Sequence, residues 1–202
     1  MNTWPSAATT GLTPMRYLGK RADSIVASNA WRYPRDATKI REALLSEQQG
    51  FCAYSERHVR KTDQTEVEHF DPRLKEQPED GYGNWYAVLA WMNRHKCQGI
   101  ERFEPMVRPD SDLRARIRYV KGLFQPINAQ DTEARNFIDF IGWNCRELFE
   151  DRQTYVKRIR DLIENLGADW ADLCGDPAYC EFATALEAEL GLKVPEAARA
   201  TK

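Results

Sequence analysis

No stretch of this chain comes near the ~20 consecutive apolar residues that a membrane-spanning helix needs, and its first residues lack the basic, apolar and small-residue succession of a secretory leader. A protein outside membranes and the secretory route is expected, with a cytoplasmic location. Charge of one sign is also missing: 29 Lys and Arg against 31 Asp and Glu leave a formal net charge of −2. Nucleic-acid-binding domains are usually basic overall, so any such contact here has to come from a local patch or from a partner. Cysteine is sparse, and its copies (Cys52, Cys97, Cys145, Cys174, Cys180) follow no disulfide-framework spacing, which suits a reduced compartment. Histidine is rarer still, with His58, His69 and His95 the whole supply. Internal repeats and low-complexity tracts are absent.

What is present is enough apolar residue for a real core. A hydrophobic fraction of 42% and six tryptophans in 202 residues indicate one globular domain, or one domain with an appendage. The fold class expected is α+β, mainly helical. Residues 1–34 are turn-rich (Pro5, Gly11, Pro14, Gly19, Pro34) yet hold Trp4, Tyr17, Leu18, Ile25, Val26, Trp31 and Tyr33, so they should drape over a core or a partner. The main domain is read as 35–166. Asp36 can cap a helix running to about Gln49, with Ile40, Ala43 and Leu44 on one stripe and Gly50 as the stop. Residues 131–166 read as two helices meeting at Gly142; the second carries Leu148, Phe149, Tyr155, Val156, Ile159, Leu162, Ile163 and Leu166, and Gly167 ends it. Residues 167–202 read as a helical appendage, with segments near 169–174 and 178–190 and a frayed tail.

The chemistry-bearing residue types gather in 51–96, where Glu68-His69 is followed by Asn84 and then, nine residues later, by Asn93. A phosphodiester resists water because the attacking oxygen meets a negative phosphate and the leaving oxygen departs with charge; a cation, a base and fixed donors relieve these problems. Glu68 and the Asn93 amide are hard oxygen ligands of the kind Mg²⁺ prefers. His69 can be neutral at pH 7 and take a proton from water. Residues 51–55 and 64–69 read as two short strands, Pro72 and PEDGYG (78–83) as loop, and 84–96 as a helix with Val88, Trp91 and Met92 on one stripe and Asn84 as N-cap. On that reading a hairpin ending in Glu68-His69 and a helix carrying Asn93 could clamp one ion. His58 and His95 read as solvated, within the basic clusters RHVRK and RHK.

Further on, Leu113 to Lys121 alternates Arg114, Arg116 and Arg118 with Leu113, Ala115, Ile117 and Tyr119, which predicts a strand turned by Gly122 into Leu123–Pro126. Three guanidiniums in a row would suit a phosphate backbone. They would equally suit the wet face of an edge strand, and the pattern alone leaves both open. Arg94 and Lys96, at the end of the motif's helix, join the row as candidate nucleic-acid contacts.

The order Glu68-His69, Asn84, Asn93 resembles the HNH (ββα-metal) nucleases, with Asn in the last position where the family often has His. The resemblance implies an HNH (ββα-metal) motif, embedded on this reading among the surrounding helices and beside the short additional β-hairpin read over 113–126. It also implies His69 as general base, Glu68 and Asn93 as ligands of Mg²⁺ (or Mn²⁺), and Asn84 holding the loop that carries His69. Many HNH proteins bind a structural zinc through two CxxC pairs. Here only Cys52 remains, with Ser55, Leu89 and Met92 at the other positions, so no structural zinc is expected and an apolar knuckle of Phe51, Tyr54, Leu89 and Met92 should replace it. CAYSE, EVEHFDPR, NW…MNRHK and FIDFIGWNCRELFEDR together resemble the small HNH subunit of Septu-type and retron-associated anti-phage systems. That resemblance implies DNA as substrate and an ATPase subunit as partner. The competing reading is a degenerate HNH-like module that binds or scaffolds and cleaves nothing.

Overall fold

The alternation in Thr65–His69 makes the first strand, β1, and its antiparallel partner is β2, Trp85–Leu89, in the register Thr65↔Leu89 to His69↔Trp85. A computed structural model describes residues 16–96 and 99–195 of the chain, so the expectations for Trp4, Pro5, Gly11, Pro14, Cys97 and the end of the tail lie outside the described residues. The strand expected at 51–55 does not form, and 84–89, expected in a helix, supplies the partner of β1 instead. Trp85–Leu89 is buried on both faces, and a continuous apolar run carries no period that separates a buried strand from a buried helix. Its backbone is met by β1 on one side. On the other, Gln48 lends its side chain, donating to Ala87 O (2.7 Å) and accepting from Ala87 N (2.9 Å), and Ala53 N donates to Ala87 O (3.1 Å).

Helix α3, Ala90–His95, follows at once, so the local order is strand, long loop, strand, helix. Residues 51–58 form a tight knuckle in place of the expected strand: Cys52 N donates to Arg57 O, Glu56 N donates to Cys52 O, and Glu56 sits in the left-handed region at φ 59°. Phe51, Tyr54, Leu89 and Met92 are buried together in the main core cluster. His58 is half-buried and set edge-on to Phe51 (5.4 Å), so it is not the freely solvated residue expected. Buried Glu56 accepts from Thr184 N (2.9 Å) and Oγ1 (2.7 Å), tying the knuckle to the helix at Ala183–Leu190.

Before the motif lie α1, Ile25–Ser28, and α2, Ala37–Glu47. Val26, Ile40, Leu44, Trp85 and Ala87 form a small second cluster under them. After it, β3 (Ile117–Val120) and β4 (Leu123–Pro126) make the second hairpin. Its two-residue turn, Lys121-Gly122, has positive φ at both positions (50° and 87°), the type I′ geometry that matches strand twist. A side chain at Gly122 would also run into the Phe149 ring. The expected strand over 113–121 is therefore shorter: Leu113–Ala115 is a 3₁₀ turn.

Helix α4, Thr132–Ile141, is capped by Asp131 (Oδ1 to Ala134 N, 3.0 Å) and stopped by Gly142 in the left-handed region; α5, Arg146–Glu164, follows. The α5 stripe Leu148, Tyr155, Val156, Ile159 is buried, and Arg152 within it reaches Gly122 O (3.2 Å) and Trp143 O (2.7 Å), pinning the hairpin turn. Leu166, expected on that stripe, is 75% exposed because it lies past the helix end, where Ala168 N bonds to Leu162 O. Short α6, Trp170–Leu173, and α7, Ala183–Leu190, complete a mixed α+β fold with seven α-helices and two antiparallel hairpins among the described residues. No helix among them is long and apolar enough to cross a membrane.

Candidate active site

Strand β1 turns its end into an open cleft of about 580 Å³ whose lining includes Glu66, Glu68, His69 and Asn93. Three of the four residues singled out by sequence thus share one space. The fourth, Asn84, lies behind it. Its Oδ1 accepts from Asp71 N (2.8 Å), and its Nδ2 donates to Asp71 O (3.0 Å) and to Asp80 Oδ1 (3.2 Å). That side chain closes the 15-residue loop between β1 and β2 at the residue two past His69. Asn84 was expected to cap a helix; it instead leads into β2, and the corrected strand assignment is the reason.

His69 is nearly inaccessible, edge-on to Tyr33 (ring centres 4.6 Å apart) and to Trp85 (6.4 Å). Its Nε2 stands 3.0 Å from Asp80 Oδ2, close enough for strong attraction although off the line of a good hydrogen bond. Burial holds the imidazole below its ordinary pKa, and Asp80 works the other way. The ring is therefore neutral at pH 7, with the Asp80 carboxylate favouring the Nε2–H tautomer and leaving the Nδ1 lone pair for a proton.

Lys96 is where the sequence reading needs its largest revision. Its ammonium, expected as a contact to nucleic acid, is buried: it is hydrogen-bonded to Glu68 Oε1, to His69 O (2.8 Å) and to Phe70 O (3.2 Å), and lies over the Phe140 ring. Tyr54 OH adds a longer contact to the same Glu68 oxygen (3.4 Å). Burial pushes the Glu68 carboxyl up and the Lys96 ammonium down, and their mutual attraction opposes both shifts. Asn93 donates Nδ2 to Glu66 Oε2 (2.7 Å), an orientation that turns its amide oxygen away from Glu66.

Hard oxygens from Glu68, Asn93 and Glu66 in one cleft fit a small divalent cation by ligand chemistry. Lys96 already shares Glu68, so such an ion would compete with an internal ammonium for that carboxylate. Sequence reasoning missed Arg41 and Lys75 on the cleft walls, and Tyr33 and Asp80 against His69. The polar face of α2 offered no signal to separate Arg41 from any solvated arginine.

The arginine row comes apart. Arg116 is held by Asp131 (2.8 and 2.6 Å) and Glu133 (2.8 Å), Arg114 sits in the 3₁₀ turn, and Arg118 alone is an exposed arginine on β3. Internal ion pairs, invisible to a period-two reading, removed the middle member. Arg94 is exposed at the end of α3. Comparison with protein-family models, with curated proteins and with solved structures gives no match.

Proposed function

We propose that the chain is a metal-dependent endonuclease of the HNH type, hydrolysing nucleic-acid phosphodiesters with DNA as substrate. The observation that carries this reading is the convergence of Glu68, His69 and Asn93 on one cleft, at the end of a strand–loop–strand–helix unit whose loop Asn84 closes. Buried neutral His69 supports the role of base: Nδ1 takes the proton of the attacking water as the new P–O bond forms and the old one breaks. Arg41 and Lys75 on the walls are suited to hold the phosphate's charge. Glu68 and Asn93 would hold Mg²⁺ or Mn²⁺, which supplies Lewis-acid stabilisation of the charged phosphorane-like state. The resemblance to the small HNH subunit of Septu-type systems extends the proposal to a cytoplasmic effector of a defence complex with an ATPase partner. The formal charge of −2 is in keeping with a subunit that relies on a partner to hold DNA.

A second reading, a degenerate module that binds without cutting, is favoured by one observation: Lys96 neutralises the carboxylate that the cation needs. Incubating the purified chain, alone and with its genomic neighbour, with supercoiled plasmid and Mg²⁺ or Mn²⁺ separates the two. Nicking that is lost in His69→Ala supports the nuclease. Intact plasmid under every condition, from a folded protein that still retains DNA, supports the binding module.

A further inference from the structure

Outside the cleft, three metal-ligating side chains meet where α3 ends and α5 begins. His95 is the last residue of α3; Cys145 is the residue before α5, and Glu147 lies in its first turn. One imidazole nitrogen, the Cys145 Sγ and one Glu147 oxygen lie within 4.8 Å of one another. Cys145 is half-buried. Fifty residues of chain separate the two contributions, and what brings them together is packing: the His95 carbonyl rests on Gly142, at 3.5 Å from where a side-chain carbon would stand. Trp91, one turn back, stands edge-on to the His95 ring at 5.5 Å.

We propose that His95, Cys145 and Glu147 form a binding site for a soft to borderline divalent cation, zinc in particular. The donor types are those zinc takes, one thiolate, one imidazole and one carboxylate, and three protein ligands leave the fourth tetrahedral position to water. Bond lengths of that coordination place neighbouring ligand atoms roughly 3.4–3.6 Å apart. The three groups therefore need to draw together by no more than about 1.3 Å, the difference between 4.8 Å and the roughly 3.5 Å of tetrahedral coordination, and the His95 and Glu147 side chains are exposed. The site is separate from the cleft in chemistry, since a thiolate selects against Mg²⁺. Its effect on the cleft would come through α3: a bound ion would staple the end of that helix, which carries Asn93 and leads into Lys96, to the start of α5.

The test uses the full chain freed of metal and titrated with Co²⁺ as a spectroscopic stand-in, then with Zn²⁺ in competition. The expected result is one equivalent of Co²⁺ with a thiolate-to-cobalt charge-transfer band and tetrahedral d–d bands, both displaced by one equivalent of Zn²⁺. Cys145→Ser should abolish the charge-transfer band. His95→Ala and Glu147→Gln should each weaken binding by at least ~10–100-fold, the loss that even outer-shell partners produce. Cys174→Ser, remote from the site, should change nothing, and circular dichroism shows that each variant is folded. A charge-transfer band that survives in Cys145→Ser, an affinity indifferent to His95→Ala, or no stoichiometric band at all overturns the proposal.

Discussion

The two hairpins of this chain are built to opposite specifications. β3–β4 closes with a two-residue type I′ turn, and Arg116, the residue before β3, is met near solvent by Asp131 and Glu133. β1–β2 closes with a 15-residue loop and buries polar groups at that loop end: Glu68, His69, Asp71, Asp80 and Asn84, with Lys96 brought in from beyond α3. Burying a charge is costly unless it is paired and hydrogen-bonded. The second hairpin meets one buried charge, Arg152, whose guanidinium is taken up by the carbonyls of Gly122 and Trp143. The first gathers several in one place, which is in keeping with the proposal that chemistry is done there, since local violations of packing economy concentrate at functional sites.

The comparison can be broken at its most expensive point. Lys96→Met leaves Glu68 as an unpaired buried carboxylate, and a loss of ~3–5 kcal/mol is expected, read as a shift of the denaturant midpoint. Replacing Glu68 by Gln in the same background should recover much of that loss. A Lys96→Met variant as stable as the parent would mean that the pair is not held in the folded protein.

Asn84→Ala comes next. It removes the acceptor of Asp71 N and a donor to Asp80, and one orphaned buried group costs ~1–3 kcal/mol. Because the loop it releases begins next to His69, cleavage should fall along with stability. Unchanged thermal unfolding would show that the loop holds without this side chain.

In the second hairpin the same kind of change should be small. Arg116→Met breaks partly exposed pairs worth ~0.2–1 kcal/mol. Hydrogen bonds from Arg116 hold the Asp131 carboxyl below the usual carboxylate range. A depressed carboxylate contributes stability above its unfolded value near ~3.9 and loses it as pH falls through the lower folded value. The stability gap between parent and Arg116→Met should therefore be present at neutral pH and close on acidification below about pH 3.9. A gap that widens in acid would reverse the assigned sign.

The smallest change concerns Arg114 and Arg118. If both meet phosphates, Arg114→Gln with Arg118→Gln should flatten the salt dependence of DNA binding by ~1.8 log units, at about 0.9 per contact, with stability within ~0.5 kcal/mol of the parent. An unchanged slope assigns them to a solvated face.

How far the sequence could be read depended on whether the deciding contact was local. The break at Gly142 and the Lys121-Gly122 turn rest on neighbours along the chain and stand where expected, as does the α5 stripe from Leu148 to Ile159, though not its last member, Leu166. Glu68, His69 and Asn93 could be singled out by chemical type, and the cleft lining brings them together. β2 could not be told from a helix, because Trp85–Leu89 is apolar on both faces and the partner that decides, β1, lies across a loop. Lys96 and Arg116 were misread for a related reason: a cation's partner is set by tertiary packing, here Glu68 at a separation of 28 residues and Asp131 at 15.

The proposal that the buried polar groups of the first hairpin serve chemistry at His69, at a cost in stability, turns on one side chain. Its most direct test is His69→Phe, with unfolding free energy and plasmid cleavage measured on one preparation. Phe keeps the ring packed against Tyr33 and Trp85 and removes the buried imidazole beside Asp80. The expected variant is at least as stable as the parent, and its cleavage rate falls ~10²–10⁴-fold, the usual cost of losing a general base. A folded His69→Phe that cuts at the parental rate would contradict it.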